Sequence, residues 1–134
     1  MRPRTEAQAL LAEARTYLNT YGDYGPSDLE EFGSYDVAVL DPYDYPDRDF
    51  PVRLREAGTV VLAYIDVGEA EECRGYWPEV EKRPEVILAP NPDWPGCHYA
   101  DVNNPEWRRI ILDHEIPHLE PPAPAVAPVA AGAA

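Results

Sequence analysis

Two stretches decide the fold: Tyr35-Asp36-Val37-Ala38-Val39-Leu40-Asp41 and Thr59-Val60-Val61-Leu62-Ala63-Tyr64-Ile65-Asp66. Each is a near-continuous apolar run of strand length, the pattern of a parallel strand buried on both faces. Between them lies an acidic, proline-broken loop, Pro42-Tyr43-Asp44-Tyr45-Pro46-Asp47-Arg48-Asp49. A short helix follows it, carrying Phe50, Leu54 and Ala57, with Asp49 as its cap and Gly58 as its stop. Upstream, Pro26-Ser27-Asp28-Leu29-Glu30 reads as a helix start, with Ser27 and Glu30 forming a capping box and Gly33 ending the helix. Before that come a short alternating strand over residues 16–21 and a helix over residues 6–14, with Leu10, Leu11 and Ala14 on one face. Downstream, Val86 to Leu88 and Tyr99 to Val102 are weaker strand candidates. The last helix opens with Asn104 at the N-cap and Pro105 behind it. Trp107, Ile110, Ile111 and His114 line its buried face, and Pro117 kinks or ends it. Strands alternating with helices predict βα units, a parallel sheet, and strand carboxyl ends gathered on one edge.

Composition bounds the partners. The chain has 134 residues, 11 basic against 25 acidic, a net charge of −14. That balance argues against nucleic acid and anionic membrane as partners and leaves room for cations or a positively charged substrate. No apolar run reaches about 18 residues, so no segment reads as a membrane-spanning helix. Glu6, Gln8 and Glu13 interrupt the N-terminus, so no secretory signal is visible and the compartment stays unassigned. Cys73 and Cys97 read either as two unpaired thiols or as a single disulfide, and their spacing does not decide. His98, His114 and His118 show no ligand spacing, and the 41–49 loop lacks the D-x-D-x-D-G calcium pattern. No metal or cofactor is therefore expected. From Pro121 the chain turns into PPAPAVAPVAAGAA, uncharged and rich in Pro and Ala, which predicts a disordered tail. The expected organisation is a helical lead-in over residues 1–15, a domain over 16–119 and a tail over 120–134.

Acidic and aromatic residues gather after the strands: Asp41, Tyr43 and Asp44 after the first stretch, and Tyr64 and Asp66 within the end of the second. Glu69, Glu71 and Arg74 follow it, and Asp101 follows Tyr99. The carboxyl edge of a parallel α/β sheet is where active sites form, and clustered carboxylates there can serve acid–base or nucleophilic chemistry on sugars. Each residue also has a plainer reading. Asp41 can cap a turn. Glu69 and Glu71 can lie in a solvated loop. Arg74 can pair with Glu71 at the surface, a contact contributing about 0–1 kcal/mol. Trp77, Trp94 and Trp107 read as core anchors before sugar platforms.

Taken together, the segments Tyr21-Gly22-Asp23-Tyr24, Tyr35 to Asp41, Val61 to Glu71, Asn91-Pro92-Asp93-Trp94-Pro95-Gly96 and Asp101 to Trp107 resemble glycoside hydrolase family 114. The resemblance covers roughly residues 16–119. The Gly68-Glu69-Ala70-Glu71 block, with Arg74 and Trp77 behind it, is its more specific part. The family includes endo-α-1,4-polygalactosaminidases and extracellular proteins once labelled cysteinyl-tRNA-synthetase-like. The resemblance implies an α/β fold, a partial (β/α)8 TIM barrel of the first three or so βα units. It also implies a polysaccharide or oligosaccharide partner, including cationic galactosamine polymers. Carried over by position, Asp41, Tyr64, Glu69, Glu71, Arg74 and Asp101 would line the sugar cleft. Asp66 stands where the family commonly has Ser.

A complete barrel needs about 200–250 residues. After a helix like that from Trp107 to Leu119, relatives continue into a Gly-(Phe/Tyr)-Asp-Gly strand that carries an acid expected to be catalytic, and a second acid follows. Neither is present here, so no catalytic acid is assigned. The joint loss of charge and motif at Pro121 predicts a frameshift after about Leu119, to be checked by translating the downstream DNA in the other frames. Three readings follow: a truncated, inactive glycosidase; a carbohydrate-binding or interaction module without chemistry; or a non-functional fragment that self-associates through open sheet edges.

Overall fold

The computed structural model describes residues 5–119. The predicted tail lies outside the described residues. Within them the chain is a mixed α/β structure of two compact units, the first running to Leu62 and the second starting at Ala63.

The first unit opens with helix α1 (Glu6–Glu13), held by a capping box between Thr5 and Gln8. No residue of α1 is buried, so the predicted Leu10–Leu11 face stays exposed. Strand β1 (Tyr17–Asn19) pairs in parallel with β2 (Val37–Leu40), with Leu18 opposite Ala38. Strand β3 (Val60–Ala63) completes the order β1-β2-β3. Helices α2 (Leu29–Phe32) and α3 (Phe50–Glu56) supply Phe32, Phe50 and Leu54 to a core with Ala38 and Leu40. The rings of Tyr24, Phe32 and Phe50 meet at centroid distances of 5.0–5.9 Å, in the favourable range for tilted and edge-on pairs. Buried Thr59 donates to Tyr35 O at 2.8 Å, tying the start of β3 to the entry of β2.

Two local expectations change here. Ser27 does not cap α2. A 3-10 turn over Pro26–Asp28 leads into the helix, and the Asp28 carboxylate reaches back to Gly25 N–H at 2.7 Å. Asp49 holds the N-cap position of α3 without a side-chain bond. The neighbouring Asp47 carboxylate accepts from Asp49 N–H at 2.9 Å and pairs with Arg53 at 2.8 Å. With several Asp residues in one loop, local sequence does not say which carboxylate bonds the backbone ahead of the helix. Gly58, at φ +94°, ends α3 as expected.

Asp36 ties β1 to β2. Its carboxylate accepts from Arg15 N–H at 2.9 Å, Thr16 N–H at 3.0 Å and the Thr16 hydroxyl at 3.1 Å. These bonds, the Arg15 amide foremost, hold its carboxyl below the usual carboxylate range. A carboxyl whose native pKa is depressed contributes stability above its unfolded pKa and loses it as pH falls through the native value. The protection of the β1 amides, taken as exchange relative to the intrinsic rate at each pH, is therefore expected to be unchanged from neutral pH down to about pH 5 and to fall below about pH 4. Asp36→Asn should remove this acid sensitivity. An acid response identical in that variant would refute the assignment.

In the second unit the prediction of an all-parallel sheet is overturned. Strand β4 (Glu69–Glu71), β5 (Ile87–Pro90) and β6 (Cys97–Ala100) form a separate sheet in the order β4-β6-β5, antiparallel throughout. The reason is chain length. Six residues separate β5 from β6, and a parallel crossover needs about a dozen or more. The fourth strand also begins earlier than predicted, at Cys97, and β3 ends at Ala63, before Ile65 and Asp66. Ala70, Tyr76, Val80, Val86, Ala100, Trp107, Ile110 and Ile111 make the core under this sheet. Helix α4 (Trp77–Lys82) contributes Val80, and α5 (Pro105–Ile110) contributes Trp107 and Ile110. Asn104 caps α5 as expected, accepting from Glu106 N–H at 2.9 Å. Ile111–Glu115 then widen into a π-turn before α6 (Ile116–Leu119), with Ile116 N–H bonded five residues back to Ile111 O. Pro117 lacks an N–H and its ring presses on the carbonyl four residues earlier, so a wider turn ahead of it lets the helical path continue rather than break. His114 is half-buried rather than core. Among the described residues no helix is long and apolar enough to cross a membrane.

Candidate functional site

The second sheet turns Gly-Glu-Ala-Glu from an expected loop into a strand, and that changes what the two glutamates can do. In a strand, residues i and i+2 share a face. Ala70 is fully buried under the sheet, so Glu69 and Glu71 project together from the other side. The antiparallel register sets Glu69 opposite Tyr99 and Glu71 opposite Cys97. One face therefore carries two carboxylates, a phenol and a thiol. Ala70 and its partner His98 lie on the other face, where His98 stacks on Trp77 at 5.3 Å.

Each glutamate is held. Glu69 Oε1 accepts from Asn91 Nδ2 at 2.5 Å. Glu71 Oε2 accepts from Arg74 Nε at 2.6 Å, and Glu71 N–H donates to the Tyr76 hydroxyl at 2.9 Å. The surface ion pair expected for Arg74 is instead largely desolvated, because Arg74 is only 8% exposed. Burial of the phenol and the nearby Glu71 charge push the Tyr76 pKa well above its usual range, against the opposing bond from Glu71 N–H, so Tyr76 stays a neutral hydroxyl. Asp66 shapes the approach to β4: its Oδ1 accepts from Gly68 N–H at 2.8 Å and Glu69 N–H at 3.1 Å.

The other sequence-selected residues lie on other elements. Asp41 belongs to the first unit, at the end of β2. It is buried and accepts from Tyr43 N–H at 3.0 Å, capping a 3-10 turn over Pro42–Asp44. Nearby Tyr45 is pushed up to about 12, by burial first and then by the Asp41 charge. Tyr64 follows β3 and is half-buried. Asp101 closes the turn into α5, accepting from Asn103 N–H at 3.0 Å. Trp107 is a core anchor, and its Nε1 donates to Val67 O at 2.9 Å. Trp94 is not: it is 67% exposed in the β5–β6 loop, which corrects its reading as core. Sequence reasoning missed Asn91 and Tyr99 at this face. The short span between Leu88 and Tyr99 signals the β5–β6 hairpin, but no local signal shows that β4 pairs beside it.

Cys73 and Cys97 are both free thiols, Cys73 exposed and Cys97 half-buried. Burial raises the Cys97 pKa, and the charges of Glu71 and Glu69 raise it further. The thiolate is the reactive form. Cys73 is therefore expected to alkylate with iodoacetamide at least about tenfold faster than Cys97 at pH 8, read by mass spectrometry at partial labelling. Equal rates would contradict this placement. Among the described residues, no group of three or more His, Cys, Asp or Glu is placed to hold a metal ion.

The second sheet thus presents paired, anchored carboxylates beside the partly exposed ring of Tyr99 on an α/β scaffold. Comparison with known proteins gives it a lineage. The sequence model of glycoside hydrolase family GH114 matches residues 4–120, and the chain belongs to that family. An uncharacterized protein of Deinococcus radiodurans is 31% identical over 119 residues, covering 84% of this chain and 38% of its own. An uncharacterized protein of Methanocaldococcus jannaschii is 38% identical over 64 residues, covering 46% of this chain and 18% of its own. Among solved structures, the glycoside hydrolase domain of PelA from Pseudomonas aeruginosa superposes with a TM-score of 0.57 at 22% identity, covering 74% of this chain and 38% of that one. Aspergillus fumigatus Ega3, solved in complex with galactosamine, gives 0.53 at 20% identity, covering 73% and 35%. The chain thus spans less than two fifths of the length of these relatives, and the two structures establish likeness of fold.

Proposed function

We propose that this chain contributes the first part of a GH114 (β/α)8 barrel and that the β4–β6 face is a carbohydrate-contacting surface within it. The observation that carries the reading is the placement of Glu69 and Glu71 on one strand face, anchored by Asn91 and Arg74, with Tyr99 in register beside them. Carboxylates accept from sugar hydroxyls and attract the ammonium of an amino sugar, while an exposed phenol offers a flat face and a hydrogen-bonding tip. The galactosamine bound to the A. fumigatus relative and the charge of −14 both favour a cationic galactosamine polymer as ligand. Asp41, Tyr64 and Asp101 remain separate candidates for sugar contact at the ends of their own elements.

The 134 residues alone are proposed to bind without cleaving. Glycoside hydrolysis needs two carboxyl groups at a set separation of about 5–9.5 Å, one of them free to transfer a proton. Here the Glu71 carboxylate is engaged by a buried guanidinium. Titration of galactosamine oligosaccharides into the purified chain, followed by NMR, is expected to show saturable binding at millimolar concentration. Glu69→Ala should weaken it by about tenfold or more, the scale of one charge-assisted hydrogen bond. Absence of saturable binding would sink the carbohydrate reading. Release of shorter oligosaccharides would overturn the non-catalytic part.

A further inference from the structure

One buried side chain ties the β5–β6 loop to the carboxylate face. Asn91 is 8% exposed, and three of its polar groups have named partners. Its backbone N–H donates to Cys97 O at 2.9 Å, closing the hairpin. Its Oδ1 accepts from Asp93 N–H at 3.0 Å, shaping the loop. Its Nδ2 donates to Glu69 Oε1. These partners determine which end of the amide is which. Asp93 N–H can only donate and an ionised Glu69 can only accept, so a flipped amide would set donor against donor and acceptor against acceptor. The roles also separate. Closing the hairpin uses the backbone N–H and Oδ1, whereas Nδ2 serves Glu69 alone among its named partners. Aspartate at this position could keep the loop and lose the clamp. Asparagine supplies both at this length.

We propose that Asn91 is a positioning residue. It fixes the orientation of the Glu69 carboxylate on the β4–β6 face from the base of the 91–96 loop, which carries the exposed Trp94. The clamp is a property of the fold; its consequence for sugar rests on the carbohydrate reading above.

NMR on the full chain tests this without any ligand. One Asn91 Nδ2 proton is expected downfield of the ordinary side-chain amide range and slow to exchange. In Glu69→Ala it should return to the ordinary position, while the amide shifts of Asp93 and Cys97 stay unchanged. In Asn91→Asp those loop shifts should also persist, while the Glu69 methylene couplings become averaged. Asn91→Ser, which adds no charge, serves if the aspartate variant unfolds. An Nδ2 resonance that ignores Glu69→Ala, or Glu69 couplings that stay fixed in both Asn91 variants, would overturn the clamp. The second arm measures galactosamine-oligosaccharide affinity. Asn91→Asp should weaken it by about tenfold, and combination with Glu69→Ala should weaken it no further than Glu69→Ala alone. Fully additive losses would show that Asn91 does not act through Glu69. If the unaltered chain binds no oligosaccharide, the carbohydrate reading fails and the NMR arm alone decides the clamp.

Discussion

Trp107→Ala is expected to destabilise the second unit by about 3–5 kcal/mol, the range for removing a fully buried tryptophan. Trp107 is 2% exposed, lies edge-on to Tyr76 at 5.5 Å and bonds Val67 O through its indole N–H. The substitution deletes ring burial, an aromatic pair and the partner of a main-chain carbonyl at once. The loss is a large share of the ~5–15 kcal/mol that holds a typical domain folded. Hydrogen exchange of the Ala70 and Tyr99 amides should accelerate by at least about a hundredfold, the equivalent of some 3 kcal/mol. Trp107→Phe separates the contributions, since it keeps a ring against Tyr76 and loses the bond to Val67 O. It should cost about 1–3 kcal/mol. Protection left intact in Trp107→Ala would mean that the core of this unit lies elsewhere.

Phe50→Ala is expected to have a comparable effect on the first unit, about 3–5 kcal/mol. Phe50 is fully buried and lies edge-on to Phe32 at 5.9 Å and tilted to Tyr24 at 5.5 Å. The helix that carries it has only seven residues, too short to be stable on its own. Its order therefore depends on this ring and Leu54. The readout is exchange of the Ala38 and Leu40 amides in β2, together with the near-ultraviolet circular dichroism of the aromatic cluster. Unchanged exchange in β2 would show that α3 does not hold the parallel sheet.

Much of this architecture is legible residue by residue. Val37 to Leu40 and Val60 to Ala63 are strands because nothing polar interrupts them. Gly58 ends its helix because it reaches positive φ without steric cost. Asn104-Pro105 starts the last helix because asparagine accepts from the N–H of Glu106 and proline forfeits none that the helix needs. The motif blocks also carry the family, which the match over residues 4–120 establishes. What misled was extending the parallel pattern past Asp66. The 86–88 and 99–102 segments are too brief for their periodicity to show partner or direction, and the six-residue connection was the deciding constraint.

The site was less legible than the fold. Glu69, Glu71 and Arg74 stand out by residue type, but whether two carboxylates two apart share a face depends on backbone conformation. Asn91 and Tyr99 carry no signal of their own, since an asparagine before proline reads as turn chemistry and a tyrosine in an apolar run reads as core. By itself, then, the sequence determined the acidic character, the first-unit strands, the helix ends and the lineage, all set by interactions within a few residues or by composition. Only the tertiary structure decided that β4 exists, that it pairs antiparallel with β6, and that Asn91 reaches Glu69 across 22 positions. Those outcomes rest on long-range hydrogen bonds and on the burial of Ala70, and no local window contains both partners.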